Sequence, residues 1–347
     1  MSEGNEYINM NENQNNVQNY EYEIDLRELF AVLWKKKIMI ISFSLVSAIL
    51  AGLISIFVIT PVYNTDLKID VNIPETYITK YGEYRLPTST NEQYLRLITS
   101  NDVILNTMKN MGYERGIDIT ISGLKEKISL GDALAKSSAQ NVFDVKVSEK
   151  SPEESLKFAK TLYNNYIEYV DMLTRERAVS YYYDSFSANL KGQETLLEST
   201  KQILKKNEEV LAKTPETINQ SSLTNTGKNI VIENIINPAY SRLQEGIVAN
   251  RQLIITTEDN IRVLKQNLEE LNKEKKIIDR YYETGISEGQ SSIINIAKTS
   301  IHLLSTPVAP INKTSPNNAL SIFIGLVFGG LLAIGIVMIN EYLAKKE

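Results

Sequence analysis

Two stretches of this chain carry no charged residue over the length of a bilayer crossing, and they stand at opposite ends. Residues 38–59, IMIISFSLVSAILAGLISIFVI, number 22, and residues 319–339, ALSIFIGLVFGGLLAIGIVMI, number 21. At about 1.5 Å of rise per residue each helix would extend roughly 30 Å, the thickness of the hydrocarbon layer. A cleaved signal peptide is a poor reading of the first. It is too long, it follows 37 residues of chain, and no A-x-A site precedes Thr60. Both stretches are therefore read as transmembrane helices, and they decide the class of the protein.

Lysine and arginine near the membrane ends set the orientation, because cationic segments stay on the cytoplasmic side. Arg27, Lys35, Lys36 and Lys37 precede the first span and Lys345 and Lys346 follow the second, whereas residues 60–75 and 304–318 hold only Lys68 and Lys313. The expected layout has both termini in the cytoplasm, with residues 1–37 and 340–347 inside and residues 60–318 outside. Trp34, beside the lysine triplet, fits an interfacial aromatic anchor.

Composition narrows the chemistry. The chain of 347 residues has no cysteine and one histidine, His302, with 37 Lys and Arg against 42 Asp and Glu. Disulfide scaffolds, thiol chemistry, histidine triads and multi-histidine zinc sites are excluded, and no polybasic footprint for nucleic acid exists. No G-x-x-x-x-G-K-[ST] phosphate loop occurs. The two cytoplasmic segments are expected to be too short for a catalytic or signalling domain. No cofactor and no metal is expected.

The expected fold is an α+β membrane protein: two transmembrane helices flanking an extracytoplasmic α/β base (60–170 and 284–306) that carries a long coiled-coil-like helical hairpin (about 171–283). Residues 1–22 read as a polar tail and residues 24–34, IDLRELFAVLW, as a short amphipathic helix. Tyr63, Thr65, Leu67, Ile69 and Val71 alternate with polar residues as in a strand. A helix is expected from about Asn91 to Met111, closed by Gly112, and strands over 117–130 and 142–148. Ser151-Pro152-Glu153-Glu154 supplies an N-cap, a first-turn proline and early acidic residues. The helix it starts runs to about Lys213. Its stripe changes from Leu156, Ala159, Leu162, Tyr163, Tyr166 and Val170, suited to packing on strands, to Tyr183, Leu190, Leu197, Leu204 and Leu211 at intervals of seven, with Leu196, Ile203 and Val210 alongside. A polar segment with Pro215, Gly227 and Pro238 turns the chain. Ile247, Ile254, Ile261 and Leu268, interleaved with Leu264, Leu271 and Ile278, then form a returning helix. The hairpin is expected to project about 50 Å as a stalk. Residues 293–304 suit a strand or a buried helix, and Pro307, Pro310 and Pro316 make the approach to the second span (307–318) a stiff, extended connector.

IDLRELFAVLWKKK before the first span, PVYNTDLKI after it, NPAY at 237–240, and PVAPINKTSPNNALSIFIGLVFGG leading into the second span together resemble the Wzz-type chain-length determinants, or polysaccharide co-polymerases. The resemblance implies a homo-oligomeric ring that sets how many repeat units a Wzy-type polymerase adds to a lipid-linked surface polysaccharide (O-antigen, capsule or exopolysaccharide), without catalysis of its own. It also points to the prolines, here Pro307, Pro310 and Pro316, as important for length control. In some relatives a cytoplasmic tyrosine kinase is fused or separate. An alternative reading is therefore an adaptor that activates a separate kinase through the N-terminal segment. A third reading, an external membrane-anchored enzyme, lacks a clustered site.

Residues suited to scaffolding lie in the spans. Ser44, Ala48 and Gly52 fall four apart, as do Ser47, Ala51 and Ser55, while Gly325 and Gly329 make a G-x-x-x-G. Small residues at that spacing let helix backbones approach closely, between the two spans or between protomers. His302, in an apolar run, is expected to be packed rather than to bind a ligand. The pairs Glu153 and Glu154, Glu208 and Glu209, and Glu269 and Glu270 fall on helices, where neighbours point apart, so they suit solvated faces better than glycoside chemistry. The run Tyr181 to Tyr183 is expected to pack between elements rather than to stack on sugar rings.

Overall fold

The computed structural model describes residues 26–87, 90–114, 116–131, 141–219, 234–287, 289 and 291–344. The polar tail 1–22, the start of the amphipathic segment, Gly227, Lys345 and Lys346 lie outside the described residues. Along the chain, helix α1 (Leu26–Lys35) leads into α2 (Lys37–Phe57). Strand β1 (Tyr63–Val71), the hairpin β2 (Thr76–Thr79) and β3 (Gly82–Arg85), and helices α3 (Asn91–Arg96), α4 (Asn101–Met111) and α5 (Ile121–Glu126) follow. Next come β4 (Ile128–Ser129), β5 (Val142–Glu149), the 60-residue α6 (Pro152–Leu211), a small hairpin of β6 (Thr217–Asn219) and β7 (Asn234–Ile236), and the 47-residue α7 (Pro238–Thr284). Helix α8 (Ala297–Ser300), β8 (Ile301–Leu303) and α9 (Asn318–Ala344) complete the chain.

These elements form two compact units, Met1–Pro61 with Thr314–Glu347, and Val62–Lys313. In the first, α2 and α9 have mean hydropathies of 2.4 and 2.8, and only 17% and 22% of their most apolar windows is buried within the protein. A core helix of a soluble domain would hide its apolar surface; these two leave it exposed, as lipid-facing helices do.

In the second unit four antiparallel strands run in the order β4-β5-β1-β8, with Leu67 opposite Val145, Ile69 opposite Phe143 and Leu303, and Val71 opposite Ile301. Period-2 alternation turns Leu67, Ile69, Val71, Phe143, Val145 and Val147 to one face, where Phe158, Leu162 and Tyr166 of α6 and Val103, Ile104 and Met108 of α4 cover them. The other face is exposed and carries opposite charges in register, Asp66 against Lys146 and Lys68 against Asp144.

Ser151 caps α6 by accepting a hydrogen bond from the Glu154 amide at 3.2 Å, with Pro152 in the first turn. Asn237 caps α7 through the Ala239 amide (3.0 Å) and donates to the Pro215 carbonyl (2.8 Å), tying the two ends of the turn together. At about 1.5 Å per residue α6 is roughly 90 Å long and α7 roughly 70 Å. Packed antiparallel on α6, α7 buries Ile247, Ile261, Leu264, Leu271 and Ile278. Leu190, Leu197, Leu204 and Leu211 of α6 are half-buried, whereas Tyr183, Leu196, Ile203 and Val210 are exposed. Three ion pairs flank this seam at intervals of seven on both helices: Glu194 with Lys265, Lys201 with Glu258, and Glu208 with Arg251. Exposed pairs of this kind contribute little energy each but make other registers less favourable.

Three expectations need correction. Residues 117–130 are not a strand: the Thr120 hydroxyl accepts from the Gly123 amide at 3.0 Å and starts α5, leaving only Ile128–Ser129 extended. So short an apolar run fits either period, and the cap decides it. The helix expected over 91–111 is broken by a 3-10 turn, Leu97–Thr99, after which Ser100 caps α4 and Gly112, at φ 82°, ends it. His302 is exposed on β8, with Nε2 3.0 Å from the Thr299 carbonyl, because the alternation that buries Ile301 turns the next side chain outward.

Candidate functional site

The small residues of the two apolar helices meet. Ser44, Ala48, Gly52 and Ser55 are the buried residues of α2, a single stripe at helical spacing. A Cβ added at Gly325 would collide with Ala51 Cβ and lie 3.0 Å from the Ser47 carbonyl; one at Gly329 would collide with Ser47 Cβ and lie 3.2 Å from Ser44 Cα. A Cβ at Gly52 would stand 3.0 Å from Ile322. Both four-residue series of α2 thus face the G-x-x-x-G of α9 within one chain. The hydroxyl of Ser44 bonds back to the Ile40 carbonyl (2.9 Å), and that of Ser55 donates to Asn318 Oδ1 (3.0 Å), so both of these buried hydroxyls are paired within the seam.

Pro307 and Pro316 are buried and Pro310 is half-buried, along a stretch with no helix between β8 and α9. Pro307 and Pro310 belong to one compact unit and Pro316 to the other.

A buried polar cluster in the second unit lies where α6, α7 and the segment before α8 meet. Arg175, fully buried, pairs with Glu274 through both Nε (2.6 Å) and Nη2. Glu274 also accepts from the Ser292 amide (3.1 Å) and the hydroxyls of Ser292 (3.0 Å) and Ser291 (3.4 Å). One turn before Arg175, Asp171 is buried, and its Oδ1 has no hydrogen-bond partner among the described residues. Burial raises its pKa, opposed by the positive charges of Lys298 and Arg175. Glu168 is raised in the same way, with Lys298 opposing. The sequence did carry a signal here, since Glu274 interrupts the apolar stripe of Leu271 and Ile278.

The hairpin of β2 and β3 rests on α6 through aromatic rings. Tyr182 packs against Tyr81 (5.3 Å between centroids) and Phe186 (5.8 Å), and its hydroxyl donates to the Gly82 carbonyl (3.0 Å). Tyr181 stacks on Tyr84, whose hydroxyl burial pushes up to about 12. Of the tyrosine run, Tyr182 packs between elements, whereas Tyr181 and Tyr183 are exposed. Lys80 (2.7 Å) and the Tyr81 hydroxyl (2.8 Å) both reach Glu270.

Those bonds hold the Glu270 pKa down, and Lys273 does the same for Glu269. A glycosidase acid requires the opposite shift. Glu153 and Glu154 are exposed in the first turn of α6, and Glu208 serves the interhelical ladder. Among the described residues no group of three His, Asp or Glu side chains is placed to hold a metal ion.

Residues 22–111, which include α1, α2, β1 and α4, match the family model described as Wzz, chain length determinant protein. The capsular polysaccharide biosynthesis protein CpsC of Streptococcus agalactiae is 29% identical over 152 residues, 43% of this chain and 62% of that protein. CpsC of Streptococcus pneumoniae is 27% identical over 144 residues, 40% of this chain and 59% of that protein. The chain thus spans about three-fifths of the length of these curated relatives. Among solved structures, a full-length bacterial polysaccharide co-polymerase overlays 92% of this chain and 99% of its own with a TM-score of 0.46 at 15% identity. The Shigella flexneri lipopolysaccharide O-antigen chain-length regulator overlays 72% and 99% with a TM-score of 0.33 at 11% identity. The matched segment includes the first apolar helix and β1, a central strand of the sheet.

Proposed function

We propose that this protein is an oligomeric regulator of polysaccharide chain length in a bacterial cytoplasmic membrane, acting beside a Wzy-type polymerase on a lipid-linked glycan. The observation that carries the reading is the Wzz match over residues 22–111, which ends three strands and two α-helices beyond the first membrane span. The relatives named as capsular polysaccharide biosynthesis proteins favour capsule as the product. Both termini lie in the cytoplasm and residues 62–313 outside, as Lys35, Lys36 and Lys37 at the start of α2 support.

In this reading the protein works by shape. The α2–α9 seam of Ser44, Ala48, Gly52, Gly325 and Gly329 fixes the anchors of each protomer, and the stiff segment of Pro307, Pro310 and Pro316 limits how the outer unit moves on them. The long hairpin of α6 and α7 gives the assembly height. Protomers arranged in a ring present the growing glycan with a surface of fixed dimensions, so that the time a chain spends beside the polymerase sets its length.

Deletion of the gene, with the surface glycan resolved by size, tests this. Glycan should still be made, with a broadened or shortened length distribution that the intact gene restores. An unchanged distribution would remove the reading.

A further inference from the structure

The start of α2 presents an unusual surface. Phe30, Trp34, Ile38, Ile41 and Leu45 are all exposed and fall on one helical stripe at intervals of four, four, three and four. The stripe is uninterrupted because helical hydrogen bonds carry across the junction at Lys36, from the Lys36 amide to the Val32 carbonyl (3.0 Å) and from the Ile40 amide to the Lys36 carbonyl (3.1 Å). The medium that covers Ile41 and Leu45 therefore also meets Trp34, which lies about 6 Å along the axis from Ile38, at headgroup depth. Lys37 Nζ stands 4.8 Å from the centroid of the Trp34 ring. Lys35 and Lys36 are exposed beside it, and among the described residues none of the three lysines forms an ion pair. Glu341, the acidic residue of the neighbouring α9, is half-buried.

We propose that Trp34, Lys35, Lys36 and Lys37 form a binding site for the headgroup of an anionic phospholipid. Three ammonium groups that form no ion pair among the described residues offer a phosphodiester charge-assisted hydrogen bonds. The indole sits at the level of the glycerol backbone, as interfacial tryptophans do. A zwitterionic lipid carries its own cation and gains less from the same cluster. The site rests on the reading that α2 crosses a membrane.

The chain has one tryptophan, so indole fluorescence excited to the red of tyrosine absorption reports this position alone in the full-length protein. The protein would be reconstituted in phosphatidylcholine vesicles containing phosphatidylglycerol, with bromine on the acyl chains of one lipid or the other. Quenching by brominated phosphatidylglycerol should exceed its mole fraction. Each lysine in the series Lys35→Gln, Lys36→Gln and Lys37→Gln should lower that preference by up to about fivefold, whereas Lys68→Gln on β1, in the other compact unit, should not. Because removing charge can also disturb insertion, the unaltered protein gives a second measure: its preference should fall in about 1 M salt, where screening acts over roughly 3 Å. Equal quenching by the two lipids, or a preference indifferent to salt, overturns the lipid site while leaving the membrane span standing. No quenching by either lipid removes the span and the site together.

Discussion

Arg175 and Glu274 lie 99 residues apart in the chain and form an ion pair that is sealed from solvent, with Arg175 Nε 2.6 Å from the Glu274 carboxylate. The pair joins α6 to α7 and, through Ser291 and Ser292, to the segment that returns to the sheet. Such a pair does not give large net stability, because desolvating two charges offsets most of their attraction. Its value lies in geometry: one alignment of the two helices places the carboxylate against the guanidinium, and any slip leaves both charges buried alone.

Glu274→Leu or Arg175→Met alone should therefore lower the unfolding free energy of the detergent-solubilised protein by about 3–5 kcal/mol. The double variant Arg175→Met/Glu274→Leu should recover most of that loss. Thermal unfolding of the four proteins, read as a double-mutant cycle, checks it. Losses that simply add would show that the two side chains do not act as a pair.

Asp171 makes a prediction about pH. Burial raises its folded pKa above the ordinary carboxylate value of 3.8, so the folded state holds the proton more tightly than the unfolded state does. Stability then falls as pH rises from the ordinary range through the raised value, and the penalty persists at neutral pH. Asp171→Asn removes an ionisable group whose Oδ1 has no partner among the described residues. It should raise stability at pH 7 by on the order of 1 kcal/mol and give no gain near pH 3.5, where Asp171 is itself protonated. Melting temperatures of both proteins across that range decide the matter, and a gain of equal size at both ends would contradict the assignment.

Glycines of α9 that look alike in sequence should behave differently. At Gly329 an added side chain meets Ser47 and Ser44, while at Gly335 nothing lies within 4 Å. Gly329→Val should destabilise the α2–α9 pair by about 1–3 kcal/mol through overpacking, whereas Gly335→Ala should stay within about 0.5 kcal/mol of the parent. Resistance of the solubilised protein to heat or to sodium dodecyl sulfate separates the two, and equal effects would place the seam elsewhere.

Much of this molecule was legible before any coordinates. The two uncharged spans, the alternation of β1, the Ser151 cap and the seven-residue repeat of α6 are local patterns, each tied to a backbone period or to one hydrogen bond. The four-residue series of α2 and the G-x-x-x-G of α9 were visible as well, though not the fact that they meet within one chain. Residues 117–130 misled because six or seven apolar-rich residues satisfy two periods, and the Thr120 side chain chose between them. His302 misled because a three-residue strand hides only alternate side chains.

The sequence alone determined the two apolar anchors, the long helices and where they begin, since these depend on residues near one another in the chain. Only the tertiary structure decided which of the two leucine-rich stripes of α6 turns inward, leaving Leu196, Ile203 and Val210 exposed. It likewise decided how Glu194, Lys201 and Glu208 meet Lys265, Glu258 and Arg251, and that Arg175 finds Glu274. Neighbouring heptad stripes on one helix are nearly equivalent by hydrophobicity. The choice between them is made by the partner helix, whose buried charge and flanking ion pairs are satisfied in a single register.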